Sequence, residues 1–577
     1  MPLSLVDGRP EGWLIRRIGV IGPGIVGMPM AAMLAHARIR EGGDAPARVT
    51  VIQRASPTSG WKVDAINAGK SPIGGIEPDL DRVVQESVAA GLLDASHDIA
   101  ALSDADVVLV CVQTDKKGFG PDYGPLFDAL EGLAAALVRR PAGNIPLVIF
   151  ESTLAPSSMA TLVRDLFLRH GLVDGRDILL GNSPNRVMPG RLVQRVRDSD
   201  KIVAGLHQAT PGLIHRLYSR IVTCGVLHAT NSLTGEIVKT LENAYRDVRI
   251  AYAAEVVRWC DARDIDFFAL RDLVNLRLSQ TDAASSNPTS VPTGGLLVPT
   301  VGVGGHCLPK DGILLWWRRL ESGHDGRNSL ILQARKVNDA SPAATIALAE
   351  KAFGSLRGRK VALLGTAYRF DSEDTRNSPT LVLARLLLDR GARVAATDPY
   401  VRPGDQNLVR TGLDPIFVPD RAQAMAGAEV VFACTGHRVY ADDVPGIIAE
   451  GAPTLKGFVD ACNLCQRDAV QSLHIGYTGI GRGHAAPPEA LVTAVLGGFQ
   501  AVERGVAREV ADLVEFCNAR YAETAFQKVD FADVQRIAGT CGTGCAIVDP
   551  IQPDPFAPFE DLESTLVDCA FGRGPGA

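Results

Sequence analysis

Long hydrophobic runs are absent from this 577-residue sequence, and no uninterrupted apolar stretch approaches the roughly 20 residues that a membrane-spanning helix needs. A large charge of one sign is also absent, because 59 Lys and Arg residues nearly balance 65 Asp and Glu residues. The net charge of -6 argues against a protein that binds nucleic acid or an anionic membrane through bulk charge. The first residues lack a basic segment followed by an apolar one, so we expect no secretory signal there.

Regular pairs of cysteine are lacking too, since the eleven cysteines are scattered and odd in number. This usage is typical of a reduced cytoplasmic protein rather than of a disulfide framework. Cys541 and Cys545 share a turn of small residues, but a zinc site needs a matching second pair, so we predict no metal site. Apolar content of 46% and charged content of 21% describe an ordinary globular protein, and the length predicts three or four domains.

A strand, a glycine turn and a helix follow one another near the start of the chain. The β-rich residues 16–21 lead into Gly22-x-Gly24-x-x-Gly27, and a helix-like segment follows at once. In a dinucleotide-binding fold the first two glycines let the turn close on the pyrophosphate, and the third lets the helix pack on the strand. An ordinary strand-to-helix turn is the alternative. The predicted dinucleotide site comprises Gly22, Gly24, Ile25, Val26 and Gly27.

The second strand of this unit, residues 48–52, should end in an acidic residue that binds the adenosine ribose, but it ends in Gln53-Arg54. Arg54 is suited to the 2′-phosphate of NADP instead. Two further apolar strands, residues 106–112 and 146–150, end in polar loops that carry Thr114 and Thr153. Because strand ends line the ligand crevice of an open parallel sheet, we expect both threonines at the cofactor edge.

One long amphipathic helix is predicted from Thr234 to about Ala262. Lys239, Asn243 and Arg246 fall at spacings of four and three and therefore share one face of it. A charged stripe on a helix is usually solvated, but a basic stripe also suits an anionic substrate.

Strands and helices alternate again from residue 357, which predicts a second doubly wound domain without a glycine fingerprint. The predicted fold class is α/β, with two doubly wound Rossmann-like domains joined by a helical central domain and followed by a C-terminal extension. The domain boundaries we predict are 1–228 for the dinucleotide-binding domain, 229–350 for the central domain, 351–484 for the second Rossmann-like domain and 485–577 for the extension.

A single cysteine, Cys307, follows a glycine-rich turn and precedes an apolar run at residues 313–317. That run predicts a helix, so the thiol lies close to a helix N-terminus, where the unpaired N–H groups and the macrodipole favour a thiolate. Lys310 adds positive charge nearby, and Asp311 lies within reach of a water at the same site. A buried structural cysteine in a tight turn is the alternative.

Five segments, in order, resemble motifs of the nucleotide-sugar dehydrogenases, which include the UDP-glucose, GDP-mannose and UDP-N-acetylmannosamine 6-dehydrogenases. The resemblance runs from about Arg17 to Gly483 and implies a four-electron oxidation of a sugar C6 alcohol to a carboxylate with two NAD in succession. It also implies a UDP-sugar substrate, a second Rossmann-like domain that binds it, and a homodimer or larger homo-oligomer assembled through the central helix. The five segments are residues 183–190, 236–243, 304–311, 370–379 and 398–400.

The same resemblance implies roles for individual residues. Cys307 would hold the half-oxidised sugar as a thiohemiacetal and then as a thioester. Lys239 and Asn243 would stabilise developing oxyanions or hold a water. Asp311 would activate or orient water. Thr153 would add a polar contact. The implied substrate contacts are Asn185, Arg186, Val187, Lys239, Asn243, Arg246, Arg249, Gly304, Gly305, His306 and Arg376.

Three positions depart from the family pattern. Asn185 stands where the family has a glutamate, Gln53-Arg54 replaces the acidic ribose ligand, and Asp115 follows Thr114 where a proline is usual. The residues beyond Gly483 have no counterpart in the family.

Several interpretations of this sequence stay open. His306 and residues 243–251 favour a UDP-N-acetylhexosamine substrate, with UDP-glucose or GDP-mannose as alternatives. NADP is not excluded as the cofactor. The missing glutamate motivates a nucleotide-sugar sensor or scaffold without turnover. A two-electron hydroxyacid dehydrogenase shares a lysine–asparagine helix but would not need Cys307.

Overall fold

The structure is a computed structural model that describes residues 5–6, 9–10, 12–74, 77–140, 144–187, 190–280, 294–540, 545–550 and 564–572. The chain divides into two compact units. Unit 1 comprises Met1–Glu242, Ile313–His324 and Ala511–Ala546, and unit 2 comprises Asn243–Gly312, Asp325–Val510 and Ile547–Ala577. No helix in the described ranges is long and apolar enough to cross a membrane.

The strands of the described residues are short, as is usual for α/β proteins. They are β1 (Leu5–Val6), β2 (Arg9–Pro10), β3 (Arg17–Ile21), β4 (Arg48–Ile52), β5 (Leu93–Ser96), β6 (Val107–Val110), β7 (Asp115–Lys117), β8 (Gly120–Asp122), β9 (Leu147–Phe150), β10 (Leu179–Asn182), β11 (Lys201–Gly205), β12 (Leu227–Asn231), β13 (Lys360–Leu364), β14 (Arg393–Thr397), β15 (Val430–Ala433), β16 (Gly457–Asp460) and β17 (Gly476–Gly479).

The helices range from one turn to more than eight turns. They are α1 (Gly27–His36), α2 (Trp61–Asn67), α3 (Leu80–Ala89), α4 (Gly124–Leu137), α5 (Arg164–Arg169), α6 (Leu192–Asp198), α7 (Thr210–Tyr218), α8 (Ser232–Ala262), α9 (Phe267–Arg277), α10 (Leu308–Glu321), α11 (Leu330–Asp339), α12 (Ser341–Phe353), α13 (Pro379–Asp389), α14 (Gln406–Thr411), α15 (Arg421–Met425), α16 (Arg438–Ala441), α17 (Val444–Gly451), α18 (Arg467–Gln471), α19 (Glu489–Tyr521), α20 (Phe531–Ala538) and α21 (Thr565–Ala570).

Unit 1 is built on an eight-stranded sheet in the order β12-β11-β10-β9-β6-β3-β4-β5, which is parallel except between β10 and β11. Its first six strands in the chain follow the spatial order 3-2-1-4-5-6 of a dinucleotide-binding fold. In β6, Val107 and Leu109 pack into one core cluster and Val108 and Val110 into the other, so helices cover both faces. This burial explains why these strands read as continuous apolar runs in the sequence.

Unit 2 contains a five-stranded parallel sheet in the order β14-β13-β15-β16-β17. The spatial order 2-1-3-4-5 is the other common doubly wound arrangement. The predicted second Rossmann-like domain is therefore confirmed, and so is the fold class as a whole. The exact domain boundaries stay predictions.

The two helices that carry the predicted chemistry differ slightly from expectation. The long central helix is confirmed as α8 and begins two residues earlier, at Ser232. The helix after the cysteine turn begins at Leu308 rather than at residue 313. Pro309 follows at once, where its missing N–H costs no hydrogen bond. Cys307 therefore directly precedes the first turn of α10.

In the C-terminal extension, the sequence from Pro487 to about Lys528 predicts a helix, but α19 ends at Tyr521. Asn518 explains the earlier end, because its side chain donates to the Val529 carbonyl at 2.9 Å and accepts from the Val529 N–H at 2.8 Å. The chain is thereby held in a reversal that a continuing helix would not allow. The paired-cysteine turn at 541–545 and the acidic tail lie largely outside the described residues.

Candidate active site

The glycine turn of unit 1 has the geometry that a dinucleotide fingerprint requires. Gly22 has φ +96°, a conformation that favours glycine. A Cβ on Gly27 would lie 2.1 Å from the Gly22 carbonyl oxygen and 3.0 Å from Cβ of Cys111, so only glycine lets α1 approach β3 and β6 this closely. A Cβ on Gly24 would meet nothing within 4 Å, which leaves that side of the turn open to a ligand. Ile25 and Val26 pack against the core beneath the turn.

The end of β4 is polar and partly exposed, as predicted. Gln53 donates to the Ser59 hydroxyl at 2.9 Å and Arg54 is exposed. Lys62 is not predicted by any motif, and its ammonium lies 3.4 Å from the carbonyl oxygen of Pro23 inside the glycine turn. Burial lowers the pKa of Lys62 from its ordinary value. A cation at this place suits the phosphates of a dinucleotide.

The polar loops after β6 and β9 are joined by hydrogen bonds. The Thr114 hydroxyl donates to the backbone carbonyl of Thr153 at 2.7 Å, and Ser152 donates to the carbonyl of Val112. Both loops follow neighbouring strands at the carboxyl edge of the sheet. The predicted proximity of Thr114 and Thr153 is therefore observed.

Behind these loops lies a buried polar cluster that the sequence did not reveal. The Glu151 carboxylate accepts from the Lys201 ammonium at 2.7 Å, from the Tyr218 hydroxyl and from the Asn185 amide at 3.1 Å. Burial lowers the pKa of Lys201 and, together with Glu151, raises that of Tyr218 well above its usual range. The only hint in the sequence was a glutamate directly after an apolar strand.

Asn185 and its neighbours form the 183–187 loop, the described part of the predicted substrate motif; residues 188–189 lie outside the described ranges. Asn185 uses both ends of its amide, donating to Glu151 and accepting from the Val187 N–H at 3.0 Å. Arg186 forms a buried ion pair with Glu242. The loop is thus fixed from within unit 1.

The predicted polar face of α8 is mostly buried. Lys239 is 8% exposed and Arg249 is 7% exposed, while Asn243 and Arg246 are half-buried. Of the predicted stripe of Lys239, Asn243 and Arg246, the alternative of a solvated face is therefore wrong for Lys239.

Arg249 has partners inside unit 2. Its guanidinium donates to the Gly295 carbonyl, lies 5.4 Å from the ring centre of Phe499 and approaches a Glu503 oxygen at 3.9 Å. Two of these partners belong to α19 of the extension. These contacts indicate a packing role for Arg249, and its contact with substrate stays a prediction.

The cysteine turn of unit 2 places Cys307 at the start of α10 with its side chain exposed. The Cys307 carbonyl accepts the first two helical N–H bonds, from Lys310 at 3.1 Å and Asp311 at 2.9 Å. The alternative of a buried structural cysteine is therefore excluded by its exposure.

The glycines before Cys307 let the turn meet the 370–379 segment closely. A Cβ on Gly304 would lie 2.4 Å from Cβ of Tyr368, and one on Gly305 would lie 3.0 Å from the Tyr368 ring. The Gly305 N–H donates to the Arg376 carbonyl at 2.8 Å, and Asn377 donates to the Gly305 carbonyl at 2.9 Å. His306 is half-buried in the same turn.

The positive charge beside the thiol differs from the one expected. Lys310 is buried and its ammonium is neutralised by Asp311 at 2.6 Å. Arg376 is ion-paired with Asp374, which raises the pKa of the guanidinium, and Tyr368 and Cys307 raise it further. Arg376, whose backbone carbonyl accepts from the Gly305 N–H, is therefore a second cation close to the cysteine turn.

Asp311 joins two other predicted residues. One carboxylate oxygen accepts from Lys310, and the other accepts from the Asn243 amide at 2.6 Å. The Asp311 side chain is completely buried. The arrangement fixes the orientation of Asn243, which lies one helical turn after Lys239 on α8.

Comparison with known proteins gives three family matches in chain order. Residues 16–222 match the NAD binding domain of the UDP-glucose/GDP-mannose dehydrogenase family, residues 233–340 its central domain and residues 362–467 its UDP binding domain. The chain belongs to this family. It is accordingly an NAD-dependent oxidoreductase that acts on a nucleotide sugar, and the resemblance recognised from the motifs is confirmed.

Similar relatives include UDP-N-acetyl-D-mannosamine dehydrogenases. A UDP-N-acetyl-D-mannosamine dehydrogenase of Pyrococcus horikoshii is 32% identical over 408 residues, 70% of this chain and 88% of the relative. One from Campylobacter jejuni is 30% identical over 74% of this chain and 96% of the relative. A crystal structure of NDP-N-acetyl-D-galactosaminuronic acid dehydrogenase from Methanosarcina mazei Go1 superposes with a TM-score of 0.67 at 30% identity, covering 81% of this chain and 96% of that one.

Proposed function

We propose that the protein oxidises the C6 hydroxyl of a UDP-N-acetylhexosamine to a carboxylate in two successive oxidations. The reaction consumes two NAD and one water. The names of the relatives support the substrate class. The observation that carries the proposal is an exposed cysteine at the start of α10, in a glycine turn that packs against the loop of Arg376.

Cys307 would act as the covalent nucleophile. Bound NAD supplies the acceptor for the hydrogen and the electron pair that leave the sugar carbon in each oxidation. The first oxidation leaves an aldehyde, and the thiolate adds to its carbonyl carbon to give a thiohemiacetal. The second leaves a thioester, whose C–S bond is broken by water to release the carboxylate and return the thiol. The helix N-terminus and Arg376 favour the thiolate that this chemistry needs.

The polar residues of α8 would stabilise negative charge on the sugar oxygen. Lys239 supplies a buried cation and Asn243 an oriented amide for the developing oxyanion. Both Asp311 oxygens are engaged by Lys310 and Asn243, so we favour orientation of Asn243 over direct activation of water for Asp311. Thr153 would contribute a further polar contact.

For substrate binding we propose the backbone of the 183–187 loop and of the cysteine turn, together with side chains that reach the nucleotide. The forked guanidinium of Arg376 suits a diphosphate. Predicted contacts that stay proposals are those of Asn185, Arg186, Val187, Lys239, Asn243, Arg246, Arg249, Gly304, Gly305, His306 and Arg376.

Assembly and location also remain proposals. We expect a homodimer or larger assembly and a cytoplasmic location, where NAD and nucleotide sugars meet. Tyr252 of α8 donates to the Val495 carbonyl at 2.8 Å, and Glu255 accepts from Ser564 and the Thr565 N–H. The extension therefore covers this part of α8, and a partner subunit would have to use another surface. The predicted domain boundaries are retained as proposals as well.

The test is a panel of UDP- and GDP-sugars, each assayed with NAD and with NADP while reduced nicotinamide is followed by absorbance. We expect two NADH per UDP-N-acetylhexosamine and loss of activity in Cys307→Ala by about a thousandfold or more. Binding of a nucleotide sugar without NADH would indicate a sensor. One NADH per substrate with an unaffected Cys307→Ala variant would indicate a two-electron dehydrogenase.

A further inference from the structure

We propose that the C-terminal extension positions the 183–187 loop, with Thr540 as the positioning residue that holds the side chain of Arg186. The inference rests on the proposed function, in which this loop binds the nucleotide sugar. The extension lies outside the three family matches, the last of which ends at residue 467. The contact is therefore specific to chains that carry such an extension.

The guanidinium of Arg186 has five N–H groups, and acceptors surround it within unit 1. Its Nε and Nη2 donate to the two oxygens of Glu242. Its Nη1 donates to the Asp200 carbonyl at 3.2 Å and to the Thr540 hydroxyl at 3.2 Å, and Nη2 also donates to the Ile537 carbonyl at 3.3 Å. The Arg186 side chain is 6% exposed and that of Glu242 is 3% exposed. Two of these acceptors come from the extension.

The extension presents these acceptors at the end of α20. The Thr540 hydroxyl donates its own hydrogen to the Ile537 carbonyl at 2.7 Å, so its lone pairs face Arg186. Carbonyls at a helix C-terminus carry partial negative charge and favour a cation. Val534 and Ile537 are completely buried, so α20 is packed firmly against the rest of unit 1. The acceptors are therefore held in place before substrate binds.

Arg186 lies between the two loop residues that bond to each other. Asn185 accepts from the Val187 N–H at 3.0 Å across it. Because the guanidinium of Arg186 is held in place, the backbone of residues 185–187 is already restricted in the free enzyme. Less conformational entropy is then lost when the substrate binds. Weakening the Thr540 contact should raise the KM for the sugar nucleotide and leave the NAD site unchanged.

The experiment compares Thr540→Val, which removes the acceptor, with Thr540→Ser, which keeps it. Thr524→Val is the matched control, because Thr524 is exposed in the same extension and only accepts a local bond from the Gln527 N–H. For Thr540→Val we expect a rise of about three- to tenfold in the KM for the UDP-N-acetylhexosamine, as for the loss of one typical hydrogen bond. The kcat, the KM for NAD and the Tm should stay close to those of Thr524→Val, and Thr540→Ser should restore the sugar KM.

Deuterium exchange of the 185–187 amides, measured on the same variants, separates this inference from the proposed function. Faster exchange in Thr540→Val than in Thr524→Val supports the inference. If no nucleotide sugar yields NADH, the proposed function alone is refuted, and the exchange result still supports the inference. Equal exchange in the two variants overturns the inference. An unchanged sugar KM in an active Thr540→Val enzyme, or equal rises in both KM values with a lowered Tm, overturns it as well.

Discussion

The side-chain amide of Asn243 donates to one oxygen of Asp311 at 2.6 Å, and the other oxygen accepts from Lys310 at the same distance. Asp311 thus joins the central helix to the helix that follows Cys307, within unit 2. A completely buried carboxylate with two such partners serves both to neutralise a cation and to orient an amide. These two functions can be separated experimentally.

Asp311→Asn should lower both stability and turnover. Loss of the Asp311 carboxylate charge leaves the buried Lys310 ammonium without a counter-charge. This lowers the free energy of unfolding by about 3–5 kcal/mol. Misorientation of Asn243 should reduce kcat by about ten- to a hundredfold. Thermal unfolding and steady-state kinetics measure the two effects. In the double variant Lys310→Met/Asp311→Asn the Tm should recover while kcat stays low. Recovery of both would mean that Asp311 acts only in folding.

At position 185, asparagine should give this chain a higher stability than the glutamate of the family motif would. In Asn185→Glu a second carboxylate would lie against buried Glu151, and the repulsion and desolvation should cost about 1–3 kcal/mol of stability. The Tm should therefore fall by several degrees without any gain in kcat. Glu151→Gln in the same chain should restore the Tm. A gain in kcat at unchanged Tm would show instead that the family glutamate is simply missing here.

Arg376 should control the reactivity of Cys307. Replacing it with Gln removes a cation close to the cysteine turn, so the pKa of the Cys307 thiol should rise. Alkylation by iodoacetamide near neutral pH should become about two- to tenfold slower, with its pH profile moved upward. Cys224 is also exposed and will be alkylated. Its contribution is removed by subtracting the alkylation rate measured for the Cys307→Ala variant. Identical pH profiles for Arg376→Gln and the wild type would contradict the assignment.

Asp261 should make the protein less stable as pH rises. Burial raises its pKa from 3.8 to about 7, although it accepts from the Gly481 N–H at 2.9 Å and lies near Lys351. The folded chain thus binds this proton more tightly than the unfolded chain does, so the stabilisation is complete below about pH 4 and is lost as pH rises to about 7.

The isosteric variant Asp261→Asn removes this proton linkage. From about pH 5 to about pH 8 the wild-type Tm should fall by a few degrees more than that of Asp261→Asn, in scans of thermal unfolding. Because Asn keeps a carbonyl oxygen for the Gly481 N–H, the two proteins should be similar at low pH. Parallel curves would show that Asp261 titrates normally.

Much of the fold was accessible from the sequence because buried parallel strands and an amphipathic helix leave strong local patterns. Strand β4 and helix α8 agree with the prediction nearly to the residue, and the glycine turn is indicated by its spacing between a strand and a helix. The cluster around Glu151 was not, because Lys201 and Tyr218 are distant in the chain and meet only in the folded sheet. The same applies to the hydrogen bond from the Gly305 N–H to the Arg376 carbonyl, which joins two segments that are distant in the chain.

The extension shows a second limit. Its helical periodicity predicted α19, but nothing in the local sequence indicates that Asn518 reverses the chain or that Thr540 meets Arg186. Removal of residues 488–577 should alter the oligomeric state or solubility more than the chemical step. The contacts of α20 with the 183–187 loop lead us to expect a change in the sugar KM as well.

The sulfur of Cys307 should carry the half-oxidised sugar between the two oxidations. Acid quenching of the enzyme during a single turnover, followed by mass spectrometry of the peptide that contains Cys307, tests it most directly. We expect a sugar nucleotide joined to that cysteine as a thioester, and two NADH per substrate consumed. Turnover to the carboxylate by Cys307→Ala at the wild-type rate, with no adduct on the wild-type peptide, would contradict it.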